Sequence, residues 1–250
     1  MTAPSQVRRA GRRRFAVVVV ALLLVAVAGG GYGLWYLFLR PSGPAAVGSD
    51  SLVLPSSVSS SPLPSGGLDG TWNVDSSIGS SSDSTDSFVG YRVQEQLASI
   101  GANTAVGRTP NVSGTLTIAG TKLTAASITA DLTALQSDDQ RRDGQLVSHG
   151  IETGTYPTAT FSLTAPVDLG ADPTDGHEIN VTATGQLTLH GQTKTVEIPL
   201  KARLSGSIIE VVGSLPIVFS DYGIVKPTSF AVLTVADQGT MELQLFFDHA

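Results

Sequence analysis

The chain contains no cysteine, and only 14% of its 250 residues are charged. The absence of cysteine excludes disulfides, thiolate metal sites, thioether-linked haem and cysteine nucleophiles together, so packing must hold the fold. No G-x-S-x-G elbow, phosphate loop or dinucleotide fingerprint is present, and the four histidines lack metal-ligand spacing. We therefore expect a protein that is not an enzyme and has no metal or resident cofactor.

Basic residues are scarce beyond the first 40 positions. Six of the 15 basic residues lie in that stretch, which leaves nine against all 21 acidic residues and a net charge of −12 for residues 41–250. Nucleic-acid binding draws its affinity from Lys and Arg that neutralise phosphates. The acidic remainder therefore excludes nucleic acid as a partner.

One segment, residues 15–39, contains 25 residues without a charge. At about 1.5 Å per residue it can cross a hydrocarbon core about 30 Å thick. The five arginines in residues 1–14 predict a cytoplasmic N-terminus, so we expect a single-pass helix in a bacterial cytoplasmic membrane with the rest of the chain outside. The alternative is a secretory signal cleaved near Ala28, after a small-x-small sequence, which would release the exported part.

Residues 40–69 are rich in Pro, Ser and Gly and have few apolar side chains to bury. This composition predicts a disordered linker with an end-to-end distance of about 30 Å. The remaining residues, 70–250, are expected to form one folded domain.

Alternation of apolar and polar residues dominates this domain and predicts antiparallel strands. In "TVEIPLKARL", residues 195–204, the apolar side chains from Val196 to Leu204 share one face. Pro199 lacks an amide hydrogen, so we expect it near an edge or at a point bonded only on its other side. About eight such runs, separated by turns such as Ala119-Gly120 and His190-Gly191, predict an all-β barrel of the smallest size that can hold a ligand.

One segment, residues 135–152, departs from the two-residue period. Ser137 followed by Gln140 has the capping-box pattern, and Asp138 and Asp139 favour the positive end of a helix. We expect one short helix here, across a barrel mouth. Residues 94–99 could add a further helical turn.

Five motifs in this order resemble the YceI-like family of lipocalin-like antiparallel β-barrels, which bind polyisoprenoid lipids. Two features depart from the family pattern: Gln145 stands where the family usually has His, and the stretch 94–112 is longer. The resemblance implies an eight-stranded lipocalin-like barrel around a bound isoprenoid quinone or polyprenyl lipid. The motifs are "GTWNVD" (70–75), "RDGQL" (142–146), "TYPTATF" (155–161), "ATGQLTLHGQTKTVEIPL" (183–200) and "DYGI" (221–224).

The ligand-binding residues are expected among the alternating apolar side chains, although eight strands can also enclose a filled core. Arg142 with Asp143 could orient a polar head group, or could form a structural bridge. Tyr91, Tyr156 and Tyr222 could donate a hydrogen bond to a quinone carbonyl, or could be ordinary rim tyrosines. The candidate lining residues are Phe88, Phe161, Leu163, Leu187, Leu189, Val196, Ile198, Leu200, Ile217, Phe219, Leu243 and Leu245.

The sequence therefore predicts a membrane-tethered extracytoplasmic binding or carrier module for an isoprenoid lipid of the menaquinone or polyprenyl type. Its expected partners are the lipid and the cytoplasmic membrane, and two barrel domains could pair as a dimer. The alternative is a solid-core interaction or stress-protective surface protein without a lipid. The two hypotheses differ in whether the barrel is hollow.

Overall fold

The computed structural model describes residues 44–47, 52, 67–98, 101–170, 176–226 and 232–250. Most of these residues lie in β-strands joined by short turns. In chain order the elements are β1 (Gly70–Val74), β2 (Phe88–Leu97), β3 (Gly101–Thr109), β4 (Val112–Ala119), β5 (Lys122–Asp131), β6 (Gln136–Ser137), α1 (Gln140–Gln145), β7 (Thr158–Leu163), β8 (Val167–Asp168), β9 (Glu178–Leu189), β10 (Gln192–Ser205), β11 (Ile208–Val218), β12 (Val232–Val235) and β13 (Gln238–His249).

Eight strands pair in a closed antiparallel ring. Their order is β1-β4-β5-β7-β9-β10-β11-β13, and β13 pairs back to β1 through Trp72–Val74 and Phe247–His249. The predicted eight-stranded antiparallel barrel with one short helix is therefore confirmed. Closure leaves the ring itself without an open edge, so each strand has one face towards the lumen.

Strands β2 and β3 extend the wall beyond β1 and β4. The first half of β13 pairs with β2 at Thr240–Gln244, whereas its last residues pair with β1. Strand β3 pairs along β2, and β6 pairs with the end of β3. The barrel thus has a taller side, and the helix α1 follows directly after β6 on that side.

The alternation of residues 195–204 correctly predicts which side chains of β10 face the interior of the barrel. Ile198, Leu200 and Leu204 line the interior, whereas Glu197 is exposed. Pro199 pairs with Thr182 of β9, and the β10–β11 ladder begins only at the next residue, Leu200. Pro199, which lacks an amide hydrogen, therefore lies where β10 pairs with β9 alone, as expected.

The predicted turn at His190-Gly191 is confirmed. Leu189 pairs with Gln192, and the two residues between them have φ angles of 51° and 71°. Positive φ at both central positions is the backbone of a two-residue hairpin turn whose twist matches the strands.

Two local predictions are wrong. The helix starts at Gln140 with Asp139 as its N-cap, whose carboxylate accepts a hydrogen bond from the Arg141 amide at 2.9 Å; Ser137 lies in β6. Asp139 is the N-cap and Ser137 is not, because the side chain of an N-cap residue must reach the free amides of the first helical turn. Residues 94–97 continue strand β2 and form no helical turn, because β3 and β12 both pair with them.

The predicted transmembrane segment, residues 15–39, lies outside the described residues, as do residues 1–14. Among the residues that are described, no helix has the length and apolar character needed to span a bilayer.

The described part of the predicted linker is hydrogen-bonded to the barrel. Arg92 and Arg108 donate to the carbonyls of Pro44 and Ala45 at 2.7 and 3.0 Å. Further along, Arg203 donates to the carbonyl of Leu52 at 2.7 Å. At these positions the chain is not a free spacer, since guanidinium groups have donors to spare for backbone carbonyls.

These arginines are paired with carboxylates buried on the outer wall. Glu242, whose side chain is 2% exposed, accepts from Arg92 Nε at 3.0 Å and lies 3.7 Å from Arg108 Nη2. Arg203 pairs with the fully buried Glu210 at 2.8 Å. Burial lowers the pKa of Arg108, and Glu242 opposes that shift. The carboxylate therefore keeps two partly buried cations compensated.

Replacing Glu242 by Gln keeps the shape and removes the charge. We expect Glu242→Gln to lower the free energy of unfolding by about 2 kcal/mol, because Arg92 and Arg108 would remain partly buried without their counter-charge. Chemical denaturation of the purified protein measures this. The control is Glu197→Gln at an exposed position of β10, which should change the free energy of unfolding very little. Equal losses of stability from both substitutions would contradict the explanation.

Candidate functional site: the apolar interior of the barrel

The barrel encloses two adjacent chambers, each with a volume of about 140 Å³ counted as the space that the centre of a water molecule can reach. Val89, Ala159, Leu187 and Met241 line both chambers, so the two spaces adjoin. Together they give about 280 Å³, close to the lower end of ordinary small-molecule sites, which is about 300 Å³.

The first chamber is lined almost entirely by aliphatic and aromatic side chains. The polar residues on its border are Thr160, His177 and Arg203, and the guanidinium of Arg203 pairs with Glu210 on the outer wall. The second chamber lies against α1 and the turn after it, through Arg142, Leu146 and Gly150. Polar side chains reach its wall at Tyr91, Glu95, Arg142, Thr240 and Lys226. Polar atoms nevertheless contribute very little of the surface of either chamber, so the lumen is apolar at both ends; the polar side chains behind the wall of the second chamber are called the polar corner below.

Ten of the twelve candidate lining residues border the chambers, and their role in binding a ligand stays a prediction. Phe88 does not: it lies one residue out of phase with Val89, on the outer face, where the guanidinium carbon of Arg108 stacks 3.9 Å above its ring. Val196 packs in the cluster around Tyr222 without reaching either chamber. The bordering residues are Phe161, Leu163, Leu187, Leu189, Ile198, Leu200, Ile217, Phe219, Leu243 and Leu245.

Two glycines let aromatic rings lie flat on the inner wall. A Cβ on Gly107, the pairing partner of Tyr91, would come within 2.4 Å of Cε1 of that ring. A Cβ on Gly185 would meet Cε2 and Cζ of Phe161 at 2.4 Å. Because the rings occupy the space above the glycines, they take up less of the lumen.

The polar corner is centred on a buried ion pair. Arg142 donates from Nη2 to Glu95 Oε1 at 2.7 Å, with side chains 13% and 6% exposed, and also pairs with Asp138. Asn103 donates to the same Glu95 oxygen at 2.7 Å. Burial works against the charged form of Arg142, but the hydrogen bonds to Glu95 and Asp138 outweigh it and raise its pKa. Arg142 is therefore a fixed, compensated cation.

Tyr91 is the one of the three candidate tyrosines that lines a chamber. Its hydroxyl is shut off from solvent and has no hydrogen bond of acceptable geometry to any described residue, although Ser137 lies nearby. Burial raises the pKa of Tyr91 well above its usual value. The hydroxyl therefore stays protonated and remains a donor.

The other candidate head-group residues have structural contacts. Asp143 accepts from the Ser137 hydroxyl and amide at 2.6 and 3.0 Å and does not line a chamber. The ring of Tyr156 packs on His190, with centroids 4.3 Å apart. Tyr222 is buried in a cluster beside the chambers, where burial raises its pKa. Arg142 therefore forms its ion pairs with Glu95 and Asp138, and not with Asp143 as the sequence suggested.

Sequence reasoning missed Glu95 and Met241. The position of Glu95 was detectable, since it follows Val89, Tyr91 and Val93 at steps of two residues. Assigning residues 94–99 to a helical turn hid that period. Met241 lies two residues before Leu243 and so shares its face of the strand. The burial of Glu242, between them on the opposite face, could not be inferred from the sequence.

Apolar side chains are also exposed around the second chamber. Val147, Val218, Val225 and Leu233 are between 40% and 67% exposed. Each lies within two residues of a residue that lines the second chamber. This end of the barrel therefore combines a polar corner inside with apolar positions outside.

Fold and site together define a hollow, eight-stranded antiparallel barrel with an apolar lumen. A family model, the YceI-like domain, matches residues 81–247, about two thirds of the chain. The chain belongs to the YceI-like family, as the sequence motifs implied. None of the curated proteins searched matches it.

Solved structures share the fold. A polyisoprenoid-binding domain from Saccharophagus degradans, implicated in plant cell wall breakdown, is 20% identical with a TM-score of 0.55, over 72% of this chain and 99% of that one. BcnA from Burkholderia cenocepacia is 23% identical with a TM-score of 0.50, over 64% of this chain and 95% of that one. At these identities the similarity shows the barrel and not its ligand.

Adding one methyl group at Gly107 should disturb the second chamber. We expect Gly107→Ala to lower the free energy of unfolding by about 1–3 kcal/mol, because the new Cβ must displace the ring of Tyr91. Thermal or chemical denaturation measures the loss. Gly154→Ala is the matched control, since a Cβ there meets no atom within 4 Å; a Gly107→Ala protein as stable as this control would show that the ring does not need the glycine.

Proposed function

We propose that this protein binds an isoprenoid lipid in the lumen of its barrel and presents or carries it without converting it chemically. The observation that carries the proposal is the pair of adjoining apolar chambers. The long hydrocarbon chain of a membrane lipid matches a lumen that is apolar in both chambers.

The energetics favour such a ligand. Each methylene-sized group moved from water into an apolar lining contributes about 0.8 kcal/mol, so a five-carbon isoprene unit contributes a few kcal/mol. Ordering a flexible chain offsets part of that gain. Several units would still bind, and no strong polar contact is required along the chain.

One of the two solved relatives supports the proposal. The Saccharophagus degradans domain is described as polyisoprenoid-binding, and nearly its whole length aligns with this chain. The rival, a solid-core interaction protein, agrees less well with two chambers inside the barrel. The exposed apolar positions around the second chamber suit lipid entry from a bilayer surface as well as contact with a protein.

The proposed location is the outer side of a bacterial cytoplasmic membrane. Its support is the uncharged segment 15–39 behind five arginines, which predicts an anchor with the barrel outside. An anchored barrel would meet isoprenoid lipids where they reside. Menaquinones and polyprenyl phosphates are the proposed ligand types.

Filling the first chamber should remove the lipid. Protein purified from its native host should release about one polyprenyl lipid per chain on solvent extraction, measured by mass spectrometry. Ala126→Phe, which points a ring into the first chamber, should lower this occupancy severalfold because the chain has less room. Ala125→Phe on the exposed face of the same strand is the control and should keep wild-type occupancy.

Empty wild-type protein, recovered repeatedly from the native host and unable to take up polyprenyl lipids afterwards, would overturn lipid binding. Equal occupancy in Ala126→Phe and Ala125→Phe proteins with intact folding would show that the lipid lies elsewhere.

The proposed anchor is tested separately. In cells, full-length protein should stay with the membrane fraction after alkaline washing, and protease added outside spheroplasts should degrade the barrel. A chain lacking residues 1–39 should lose both properties because the uncharged segment is gone. Protein that appears shortened in the culture medium, with a new N-terminus near residue 29, would instead support cleavage.

A further inference from the structure

His190 contacts two segments that border the second chamber. One segment follows α1 and reaches the chamber through Leu146 and Ile151. The other is the turn after β11, Phe219–Tyr222, which reaches the chamber through Phe219. The side chain of His190 is 8% exposed and lies in the turn between β9 and β10. The imidazole is therefore placed where it can hold part of the chamber wall closed.

Both nitrogens of this imidazole face hydrogen-bond acceptors. Nδ1 lies 2.9 Å from the backbone carbonyl oxygen of Tyr222, and Nε2 lies 2.9 Å from Oε2 of Glu152. A carbonyl and an ionised carboxylate accept hydrogen bonds and donate none, and a neutral imidazole carries a proton on only one nitrogen. The charged imidazole donates from both nitrogens, so it alone satisfies the two contacts at once.

The titratable groups around the imidazole come from three elements. The segment after α1 supplies the carboxylate of Glu152 and the ring of Tyr156, whose centroid lies 4.3 Å from that of the imidazole. The turn after β11 supplies Tyr222 and the exposed Asp221, and the β9–β10 hairpin supplies the exposed Lys194. Tyrosine is neutral below about pH 10. Among the described residues, the one ion-pair partner of the imidazole is Glu152.

Loss of the proton would affect the two contacts differently. The contact with Tyr222 is buried, whereas the side chain of Glu152 is 46% exposed. A buried carbonyl without a partner costs free energy, but a carboxylate that can turn towards water loses little. The neutral imidazole therefore keeps its proton on Nδ1 for Tyr222. The lone pair on Nε2 then faces the carboxylate of Glu152 and repels it.

Glu152 is also the residue that fixes the end of the segment after α1. Its φ angle is 51°, its amide donates to the carbonyl of Leu146 at 3.0 Å, and its own carbonyl accepts from the amides of Thr155 and Tyr156 at 2.8 and 2.9 Å. Positive φ is uncommon outside glycine and persists where surrounding contacts hold the residue in place. Release of its carboxylate therefore loosens the segment at its most constrained point.

We propose that His190 is a pH-sensitive latch on the second chamber. The charged imidazole binds Glu152 and holds the segment after α1 against the chamber, and loss of the proton releases that segment. Because the charged form makes the contact, the latch holds at low pH and is lost as the pH rises between about 5 and 8, where histidine changes charge. Its role in admitting a lipid rests on the proposed function, whereas the latch itself is measured without lipid.

Hydrogen exchange of the full-length protein in detergent, without added lipid, tests the latch. The amides of Glu152, Thr155 and Tyr156 report on the segment after α1, and the amide of Ile224 reports on the turn after β11. From about pH 5 to about pH 8, after correction for the intrinsic pH dependence of exchange, protection of the first three should fall about fivefold, or about 1 kcal/mol for a partly exposed charge pair. Protection of Ile224 should stay constant, since Nδ1 keeps its contact.

Two variants separate the latch from the turn that carries it. In Glu152→Gln, the amide accepts from the charged imidazole or donates to the neutral one, so protection should persist and lose its pH dependence. His190→Asn retains a residue that tolerates the positive φ of this turn but removes the latch, so protection should be low at every pH. The matched control is Glu197→Gln, at an exposed position of β10, which should keep the wild-type response.

Several outcomes would overturn the latch. Constant protection of the segment from about pH 5 to about pH 8 in folded wild-type protein contradicts it, and so does a pH response that survives in His190→Asn or in Glu152→Gln. An equal loss at Ile224 contradicts the release of one segment alone. Lipid occupancy is measured separately by extraction and mass spectrometry: protein that never binds lipid but shows the pH response would overturn the proposed function and leave the latch standing.

Discussion

The pairing of β1 with β13 is the constraint on which the rest of the structure depends. Strand β1 has only five residues, yet it joins β13 at three positions and β4 at four. Trp72 at its centre is fully buried, and its indole donates to the Leu68 carbonyl at 2.9 Å. Without this short strand, β4 and β13 would present open edges and the lumen would be a groove open to water.

Closure makes an interior, but residue size makes it hollow. Inward positions held by alanine, such as Ala126 and Ala183, leave space that larger side chains would fill, and Gly185 leaves room for the ring of Phe161 against the wall. On the taller side, Glu95 and Arg142 neutralise each other behind the wall of the second chamber. Their charges are therefore balanced without any contribution from the apolar surface of the lumen.

The barrel, its hairpin turns and most of its lining followed from a two-residue period and short turn motifs, because both are local. Phe88 was misplaced because the outer wall is also covered: Phe246 is fully buried there against Ile78 and Ile208. Where both faces of a strand are buried, alternation cannot tell inside from outside. The pairing of Glu95 with Arg142 joins residues 47 positions apart, and no local pattern encodes such a contact.

The two-residue period also lets one pair of strands serve two purposes. On β2, Arg92 points outward and binds the carbonyl of Pro44, whereas Tyr91 before it faces the second chamber. On β13, Glu242 points outward to Arg92, and Met241 before it lines both chambers. Pro44, in the described part of the chain before the barrel, is thus held by a strand that also forms the wall of the cavity. The contact with Pro44 and the wall of the second chamber therefore use opposite faces of the same two strands.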